Sequence, residues 1–439
     1  VDSVAAATNQ PFTSAFRGFG GPQAAFAYES QMDEIAKALI MDPLEVRRIN
    51  YLKTGDTTVT GQAIRSAAWS EECATRALAA LGDPTPSTPT RKVGRGFASY
   101  FQSYGRIMWF HDTSRAWVGM ELDGTVVIRC GVPDIGAGQS NSLCQIAAEV
   151  LGVPLERVSI YATDSALTPL AGTSTATRQL YMSGNAVLQA AGVVRASLVQ
   201  KAAEMLGVSP EDVDLENGEA FVAADRGCLL EGAAGQGEDV RKPLTQVAAA
   251  CASSGLPLAH LAQFNAPFAE GLDPETGQGD IWPDFTFGAQ AVEVAVDTET
   301  GEVEILKCAA CHDVGRAINR AAAAGQIAGG SHQGLGYALM EEYIVKDGIT
   351  QTPTLAEYLI PTAADFPTTE VILLESGTGV GPFGAKGIGE PSLTPAAPAV
   401  ANAVADALGV RVFSLPLTRE KVLEAADAGK NVVRPDKHW

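Results

Sequence analysis

The chain has 439 residues, of which 46% are hydrophobic and 19% are charged, and its formal net charge is −20. This length allows two or three domains with a large buried core, and the composition is that of a folded globular protein. The negative charge argues against nucleic acid as a partner, because phosphate backbones are bound by clustered Lys and Arg side chains.

Hydropathy and cysteine usage narrow the class of protein further. No run reaches the roughly 18 apolar residues that a membrane span needs, and no signal segment opens the chain. The seven cysteines are scattered and form no disulfide framework, which favours a reducing compartment. We therefore predict a cytoplasmic protein without a membrane span. The chemistry-rich segment from Thr8 onward follows no leader domain, so we expect another polypeptide to supply its surroundings.

Two helices and a linker are predicted in the first part of the chain. Apolar residues at helical spacing predict a helix over residues 23–39. Asp42, followed by Pro43, has the pattern of a helix cap and predicts a second helix that runs through Tyr51. The Pro/Thr-rich segment 82–92 is the best linker candidate.

Hairpins and helices alternate irregularly in the remainder. Asp123-Gly124 predicts a hairpin between strands 116–122 and 125–130, and a second hairpin is predicted over 291–308. Alanine-rich helices are expected after Gly184, Ala321 and Pro395. Hairpins interleaved with helices, without steady βαβ alternation, predict an α+β fold with mixed sheets.

Four Gly/Ser/Thr-rich loops each precede a predicted helix: residues 15–23, 133–141, 171–185 and 381–392. Such loops present backbone N–H groups and a helix N-terminus to an anion such as a phosphate. Together they favour one large phosphate-bearing cofactor that is bound from several sides. The spacing fits neither a P-loop nor a dinucleotide-binding Rossmann fingerprint, which argues against simple nucleotide sites.

One acid stands at the end of one of the most glycine-dense segments. Glu390 follows six glycines between residues 377 and 389. Glycine lets the backbone approach a ligand closely, so this carboxylate is a candidate base beside a bound cofactor.

Side-chain metal ligation is not predicted. The five histidines are isolated, and Cys308, Cys311 and His312 form a single CxxCH without a second cysteine pair. We interpret this cluster as small buried residues at a strand end; a metal site or a haem attachment site is the alternative.

Six motifs in this order resemble the molybdenum hydroxylases, the family of xanthine dehydrogenase and aldehyde oxidoreductase. They are AFRGFGGPQ, DIGAGQ, TATRQLYMSGNAV, DVGRAIN…GQIAGG, YLIPTAADFP and GAKGIGEPSL. The resemblance covers nearly the whole chain and matches the C-terminal part of the molybdopterin-binding portion. The chain resembles the medium molybdopterin subunit of split nicotinate-dehydrogenase-type enzymes. The family resemblance implies that residues 1–190 are the C-terminal part of the first molybdenum-cofactor-binding domain, and that residues 191–439 form the second, which carries Glu390.

The resemblance also assigns roles to individual residues. Glu390 would be the general base that takes a proton from a water-derived oxygen beside the metal. Phe19 would pack on a flat substrate ring, with Arg17 near it and with Tyr100 or Phe101 on the opposite face. The implied cofactor-binding residues are Gly18, Phe19, Gly136, Ala137, Gly138, Gln139, Thr173, Ser174, Thr175, Ala176, Thr177, Arg178, Gln326, Lys386, Gly387, Ile388 and Gly389. Molybdenum itself would be held by the pterin dithiolene and not by side chains.

One position departs from the family pattern. The family places a glutamine between two glycines in the second loop, and this chain has Ala137 there, with Gln139 two positions later. Either Gln139 substitutes from its shifted position, or another chain supplies the contact, or the site is retuned.

The function implied is that of a molybdopterin-binding catalytic subunit that hydroxylates an aromatic N-heterocycle, nicotinate- or purine-like, with water-derived oxygen. The cofactor would be molybdopterin, as its cytosine dinucleotide, with molybdenum; the resemblance leaves open whether the labile ligand is sulfido or selenido. The implied partners are a second molybdopterin subunit, a [2Fe-2S] subunit and an FAD subunit, since this chain has no iron–sulfur cysteine pattern. An aldehyde oxidoreductase and a non-catalytic scaffold subunit are the alternatives.

Overall fold

The computed structural model describes residues 4, 6–8, 14–106, 111–222, 241–267 and 271–429. Within them, helices and mixed sheets give the predicted α+β fold. The helices in chain order are α1 (Gly21–Leu39), α2 (Pro43–Asn50), α3 (Ser70–Ala80), α4 (Gln139–Leu151), α5 (Gln179–Leu206), α6 (Leu244–Ser254), α7 (Arg320–Leu339), α8 (Ala396–Leu408) and α9 (Arg419–Gly429).

The first four-stranded sheet has the order β1-β9-β10-β13, formed by β1 (Arg91–Tyr104), β9 (Asp284–Asp297), β10 (Val303–Asp313) and β13 (Glu370–Leu374). The pairs β1/β9 and β9/β10 are antiparallel, whereas β10/β13 is parallel. Helix α8 packs on β1 and β9, and α3 packs against β9 and β10.

Two glycines of β1 allow α8 to pack so closely. A Cβ atom at Gly94 would lie 2.3 Å from the carbonyl oxygen of Ala403, and one at Gly96 would lie 2.2 Å from the Ala403 nitrogen. Because these neighbours are backbone atoms, no side-chain rotation could relieve the clash. The helix therefore contacts the strand backbone directly.

The second four-stranded sheet has the order β4-β3-β2-β8, formed by β2 (Thr113–Met120), β3 (Val126–Cys130), β4 (Val158–Ala162) and β8 (Ala259–Asn265). Helix α5 packs on β2 and β8 and also contacts α4. Two smaller sheets comprise β5 (Val213–Glu216), β6 (Glu219–Val222) and β7 (Arg241–Pro243), and β11 (Val345–Lys346) with β12 (Ile349–Thr350).

Local signals in the sequence placed most elements correctly. The Asp42 carboxylate caps α2 by accepting bonds from the Leu44 and Glu45 amides at 2.7 and 3.2 Å. Both predicted hairpins are present as β2/β3 and β9/β10. The predicted linker is packed and not loose, because the Thr85 hydroxyl bonds to Glu293 at 2.6 Å.

The predicted domain boundary lies in the middle of α5, and β1, which precedes it, pairs with β9, which follows it. The two-domain division stays a prediction. Residues 9–13, within the first chemistry-rich segment, lie outside the described residues.

The CxxCH cluster is a buried strand end, as predicted. Cys308, Cys311 and His312 lie on β10 and are 4%, 0% and 0% exposed. In the part of the chain that the structure describes, no group of three or more His, Cys, Asp or Glu side chains could hold a metal ion. No helix among these residues has the length and apolar character to cross a membrane.

Candidate functional site

A cavity of about 510 Å³ lies where loops from both large sheets meet. It is lined by the loop that precedes α4, the segment that leads into α5, the start of α7 and the glycine-rich segment that ends at Glu390. The predicted site residues that line it are Arg17, Gly136, Ala137, Gln139, Ser174, Thr175, Ala176, Thr177, Arg178, Gln326, Lys386, Gly387, Ile388, Gly389 and Glu390. With the loop that carries Arg17, the structure thus brings together five segments that are separate in the sequence.

Glu390 is half-buried at the edge of this cavity. Its Oε2 accepts a hydrogen bond from the Thr177 hydroxyl at 3.0 Å. Burial raises the pKa of Glu390, and the hydrogen bond from Thr177 and the charge of Arg17 offset only part of that rise. The carboxylate is therefore a stronger proton acceptor than an exposed glutamate.

Arg17 joins the first glycine-rich loop to the segment that carries Glu390. Its Nε donates to the carbonyl oxygen of Gly389 at 2.6 Å, and a terminal nitrogen donates to the Ser392 hydroxyl at 3.0 Å. The same guanidinium bonds to the side chains of Gln326 and Gln333 on α7 at 3.2 and 3.3 Å. Arg17 therefore anchors its loop to α7 and to the segment that carries Glu390.

Two other cations of the cavity wall are paired within the protein. Lys386 forms an ion pair with Asp313 at 2.7 Å, and both side chains are fully buried. Arg178 is paired with Asp112 at 2.6 Å and also donates to backbone carbonyl groups. These contacts make Lys386 and Arg178 supports of the cavity wall.

The loop before α4 contains Ala137, at the position that departs from the family pattern, and leads into Gln139. Ala137 lines the cavity with a methyl group, and Gln139, the first residue of α4, lines it as well. Among the described residues, no group donates to Gln139 Oε1. The Asp134 carboxylate shapes the loop by accepting bonds from the Gly136 and Gly138 amides at 3.0 and 3.1 Å. Gln139 is therefore placed to accept a hydrogen bond from a ligand.

Five polar residues that line the cavity were not predicted from the sequence, among them Gln179 and Arg316. Gln179 is 7% exposed and lines the cavity, and its Oε1 has no donor within the described parts of the chain. Arg316 also lines the cavity and contacts the Phe383 ring, 5.9 Å from its centroid. Both lie inside motifs that carried the family resemblance, so proximity to the predicted residues was an available signal.

The predicted aromatic pair does not line the cavity. Phe19 is 80% exposed and borders a neighbouring depression with Phe16 and Gln23. Tyr100 is 3% exposed, and its hydroxyl group bonds to His312 Nδ1 at 2.7 Å. Burial lowers the pKa of His312 to about 3, so the imidazole is neutral and this pair belongs to the core.

Phe101 points to the other face of β1, because side chains alternate along a strand. It is 44% exposed and packs on Phe285 and Phe287 with centroid distances of 5.7 and 6.3 Å.

Three further predicted residues are also absent from the cavity wall: Gly18, Gly138 and Thr173. Their predicted roles rest on the resemblance alone.

The chain is similar to proteins that bind a molybdenum cofactor. A family model described as a molybdopterin cofactor-binding domain matches residues 57–367, and a second model with that description matches residues 1–51. The xanthine dehydrogenase molybdenum-binding subunit of Escherichia coli O157:H7 is 31% identical over 437 residues, which cover 95% of this chain and 54% of that protein. The aldehyde oxidoreductase of Megalodesulfovibrio gigas is 33% identical over 430 residues, or 96% of this chain and 42% of that protein.

This chain is also similar to a solved structure. Quinoline 2-oxidoreductase from Pseudomonas putida 86 matches with a TM-score of 0.76 and 26% identity, over 94% of this chain and 53% of that chain. The chain spans about half the length of the xanthine dehydrogenase subunit that it matches.

Proposed function

This chain belongs to the molybdenum hydroxylase family, and from that premise we propose that it is a catalytic, molybdopterin-binding part of a multi-subunit hydroxylase. Its substrate would be an electron-poor aromatic N-heterocycle, nicotinate- or purine-like, hydroxylated with water-derived oxygen. Glu390 would act as the general base.

The cavity residues fit a pterin. The volume of about 510 Å³ falls in the range of about 300–1,000 Å³ that is usual for small-molecule sites. Two amide oxygens in the wall, Gln139 Oε1 and Gln179 Oε1, lack donors among the described residues, and the aminopyrimidine edge of a pterin carries N–H donors. Gln139, Gln179 and the backbone of residues 174–178 would hold the cofactor. When bound, it supplies a redox-active molybdenum centre that accepts electrons from the substrate.

The single observation that carries the proposal is the setting of Glu390. A general base must be ionised at the working pH and must have a pKa high enough to take a proton. Burial raises the pKa of Glu390, and one carboxylate oxygen is held by Thr177. The other oxygen, Oε1, is the one we assign to proton transfer.

An aromatic heterocycle is favoured over an aldehyde by Phe19. Its exposed ring lies two residues from Arg17, which lines the cavity, and it borders a depression beside a second aromatic ring, that of Phe16. The name of the structural relative quinoline 2-oxidoreductase points the same way. The aldehyde oxidoreductase relative keeps aldehydes as the second candidate substrate class.

Other polypeptides would supply the rest of the cofactor site and the electron carriers. The relatives are about twice as long as this chain, so a second molybdopterin-binding portion would complete the cofactor site. A [2Fe-2S] subunit and an FAD subunit would carry electrons away. The cytosine dinucleotide form of the pterin and a cytoplasmic location belong to the same proposal.

Replacing Glu390 tests the proposed function. In the assembled complex, Glu390→Gln should lower turnover at least about 100-fold, the range of a lost general base, while molybdenum content stays at the wild-type level. Glu149→Gln, on the exposed side of α4, is the matched control and should leave turnover unchanged. Dye reduction with a panel of heterocycles and aldehydes identifies the substrate class.

Two outcomes would overturn the proposal. Undiminished turnover in Glu390→Gln would leave this chain as a scaffold whose partner performs the chemistry. Stoichiometric nucleotide without molybdenum in the intact wild-type complex would refute the cofactor assignment.

A further inference from the structure

The peptide unit between Gly389 and Glu390 is clamped on both of its polar sides. Its carbonyl oxygen accepts from Arg17 Nε at 2.6 Å, and its N–H donates to Thr177 Oγ1 at 3.0 Å. Arg17 comes from the loop before α1, and Thr177 comes from the segment before α5. The backbone of the base is thus fixed by two segments that are remote from it in the sequence.

Thr177 bonds to the carboxylate of the same residue. Its hydroxyl oxygen accepts from the Glu390 amide, so its single hydrogen is available for Glu390 Oε2, 3.0 Å away. The ring closed by these two bonds fixes the carboxylate relative to its own backbone. Oε2 is thereby held by Thr177, and the Ala176 backbone adds a smaller contribution that favours the ionised carboxylate.

The surrounding backbone is built to hold Thr177 in this position. Ala176 and Thr177 have φ angles of 51° and 55°, a left-handed conformation that is unfavourable for residues with a side chain. A Cβ atom at Gly387 would lie 2.5 Å from the Thr177 methyl carbon. Glycine at 387 therefore makes room for the threonine.

We propose that Thr177 is a positioning residue for Glu390, which holds Oε2 by a hydrogen bond and directs Oε1 toward the cavity to accept the substrate-derived or water-derived proton. This inference rests on the proposed function of Glu390 as the base. The Thr177 side chain would thus act on Glu390, whereas the backbone groups of the same segment are expected to contact the cofactor.

Few charged groups act on the Glu390–Thr177 pair. Arg17, from the loop before α1, attracts the carboxylate. Lys386 and Arg178 line the same cavity but are paired with Asp313 and Asp112. Arg316, in the connection between β10 and α7, is the fourth cationic side chain of the wall among the described residues. None of these would be changed by a substitution at Thr177, so an altered titration would report the lost hydroxyl.

The test compares Thr177→Val with Thr177→Ser in the assembled complex. A hydroxyl that donates to a carboxylate favours its ionised form, so Thr177→Val should raise the acidic limb of the kcat/KM profile by about one pH unit. Thr177→Ser keeps the hydroxyl and should follow the wild-type profile. Molybdenum content per complex, measured in parallel, separates this shift from a loss of cofactor.

An infrared titration gives the same answer without turnover. The carboxyl band of Glu390 is identified by its absence in Glu390→Gln, and its midpoint is followed in wild type, Thr177→Ser and Thr177→Val, with or without cofactor. A midpoint that rises only in Thr177→Val supports the inference. An unchanged midpoint in Thr177→Val, or a serine variant that behaves like valine, would overturn it. Undiminished turnover in Glu390→Gln would instead refute the proposed function.

Discussion

The fully buried Glu293 and the half-buried Glu390 show how neighbours decide the protonation of an acid. Burial alone would raise the pKa of both Glu293 and Glu390. Glu293 bonds to Thr85, Arg95 and Lys307, and these contacts lower its pKa below the ordinary value. For Glu390, the Thr177 hydroxyl, the charge of Arg17 and the Ala176 backbone offset only part of the effect of burial, so its pKa stays raised. A structural acid and a candidate base thus differ in their partners and not in residue type.

At the residue scale, the raised pKa of Glu390 predicts a cost in stability. Because the native state binds this proton more tightly than the unfolded state, stability falls as the pH rises from the unfolded value of 4.5 through the raised native pKa. Glu390→Gln should therefore increase the melting temperature at pH 7. The gain should vanish below about pH 4, where both states of the wild type are protonated.

The measurement is thermal unfolding of both proteins between pH 4 and 8. Glu149→Gln serves as the control for loss of an exposed charge. A difference between wild type and Glu390→Gln that does not depend on pH would contradict the assigned pKa direction.

At the element scale, contact between α8 and β1 fixes the segment that carries Glu390. Pro391–Leu393 forms a single 3-10 turn directly before α8, so the position of α8 on the sheet sets the position of Glu390. That position depends on glycine in β1, since α8 backbone atoms occupy the space of a Cβ at Gly94 and Gly96. The close packing of α8 on β1 therefore affects the position of Glu390 in the candidate site.

Gly96→Ala tests this contact. The added Cβ would meet the Ala403 nitrogen at 2.2 Å, so we expect a loss of about 2–3 kcal/mol in the free energy of unfolding. Gly192→Ala is the matched control within α5, where a Cβ would meet nothing within 4 Å. This control should gain about 0.5–1 kcal/mol from helix propensity. Equal effects of the two substitutions in urea unfolding would argue against the close contact.

At the scale of the whole molecule, buried ion pairs join the cavity wall to the two sheets. Lys386, in the wall, is paired with Asp313 at the end of β10, in the first sheet. Arg178, on the other side of the cavity, is paired with Asp112, directly before β2 of the second sheet. The cavity is therefore supported from both sheets by side chains that are removed from water.

Removing one partner of the Lys386 pair should be costly. Lys386→Met leaves the Asp313 carboxylate buried without its cation, which costs about 3–5 kcal/mol of stability. The double variant Lys386→Met/Asp313→Asn removes both charges and should regain part of this loss. Arg76→Met, in an exposed ion pair with Glu72, should change stability little. Denaturant midpoints of the wild type, the single variants Lys386→Met, Asp313→Asn and Arg76→Met, and the double variant check the prediction. A double variant whose loss equals the sum of the Lys386→Met and Asp313→Asn losses would contradict it.

The sequence by itself determined the elements and the family. Helix caps, Asp-Gly turns and glycine-rich loops act over a few residues, so Asp42 and Asp123-Gly124 could be interpreted locally. Six ordered motifs sufficed for the family and for Glu390 as the candidate base. Only the tertiary structure decided how that base is held.

Thr177 and Arg17 are 213 and 372 positions from the groups that they bind, and no local pattern encodes such pairings. The burial of Tyr100 was equally hidden, because strand alternation predicts two faces but not which face another element covers. These contacts form only when distant segments pack together, and they decide the charge and orientation of Glu390.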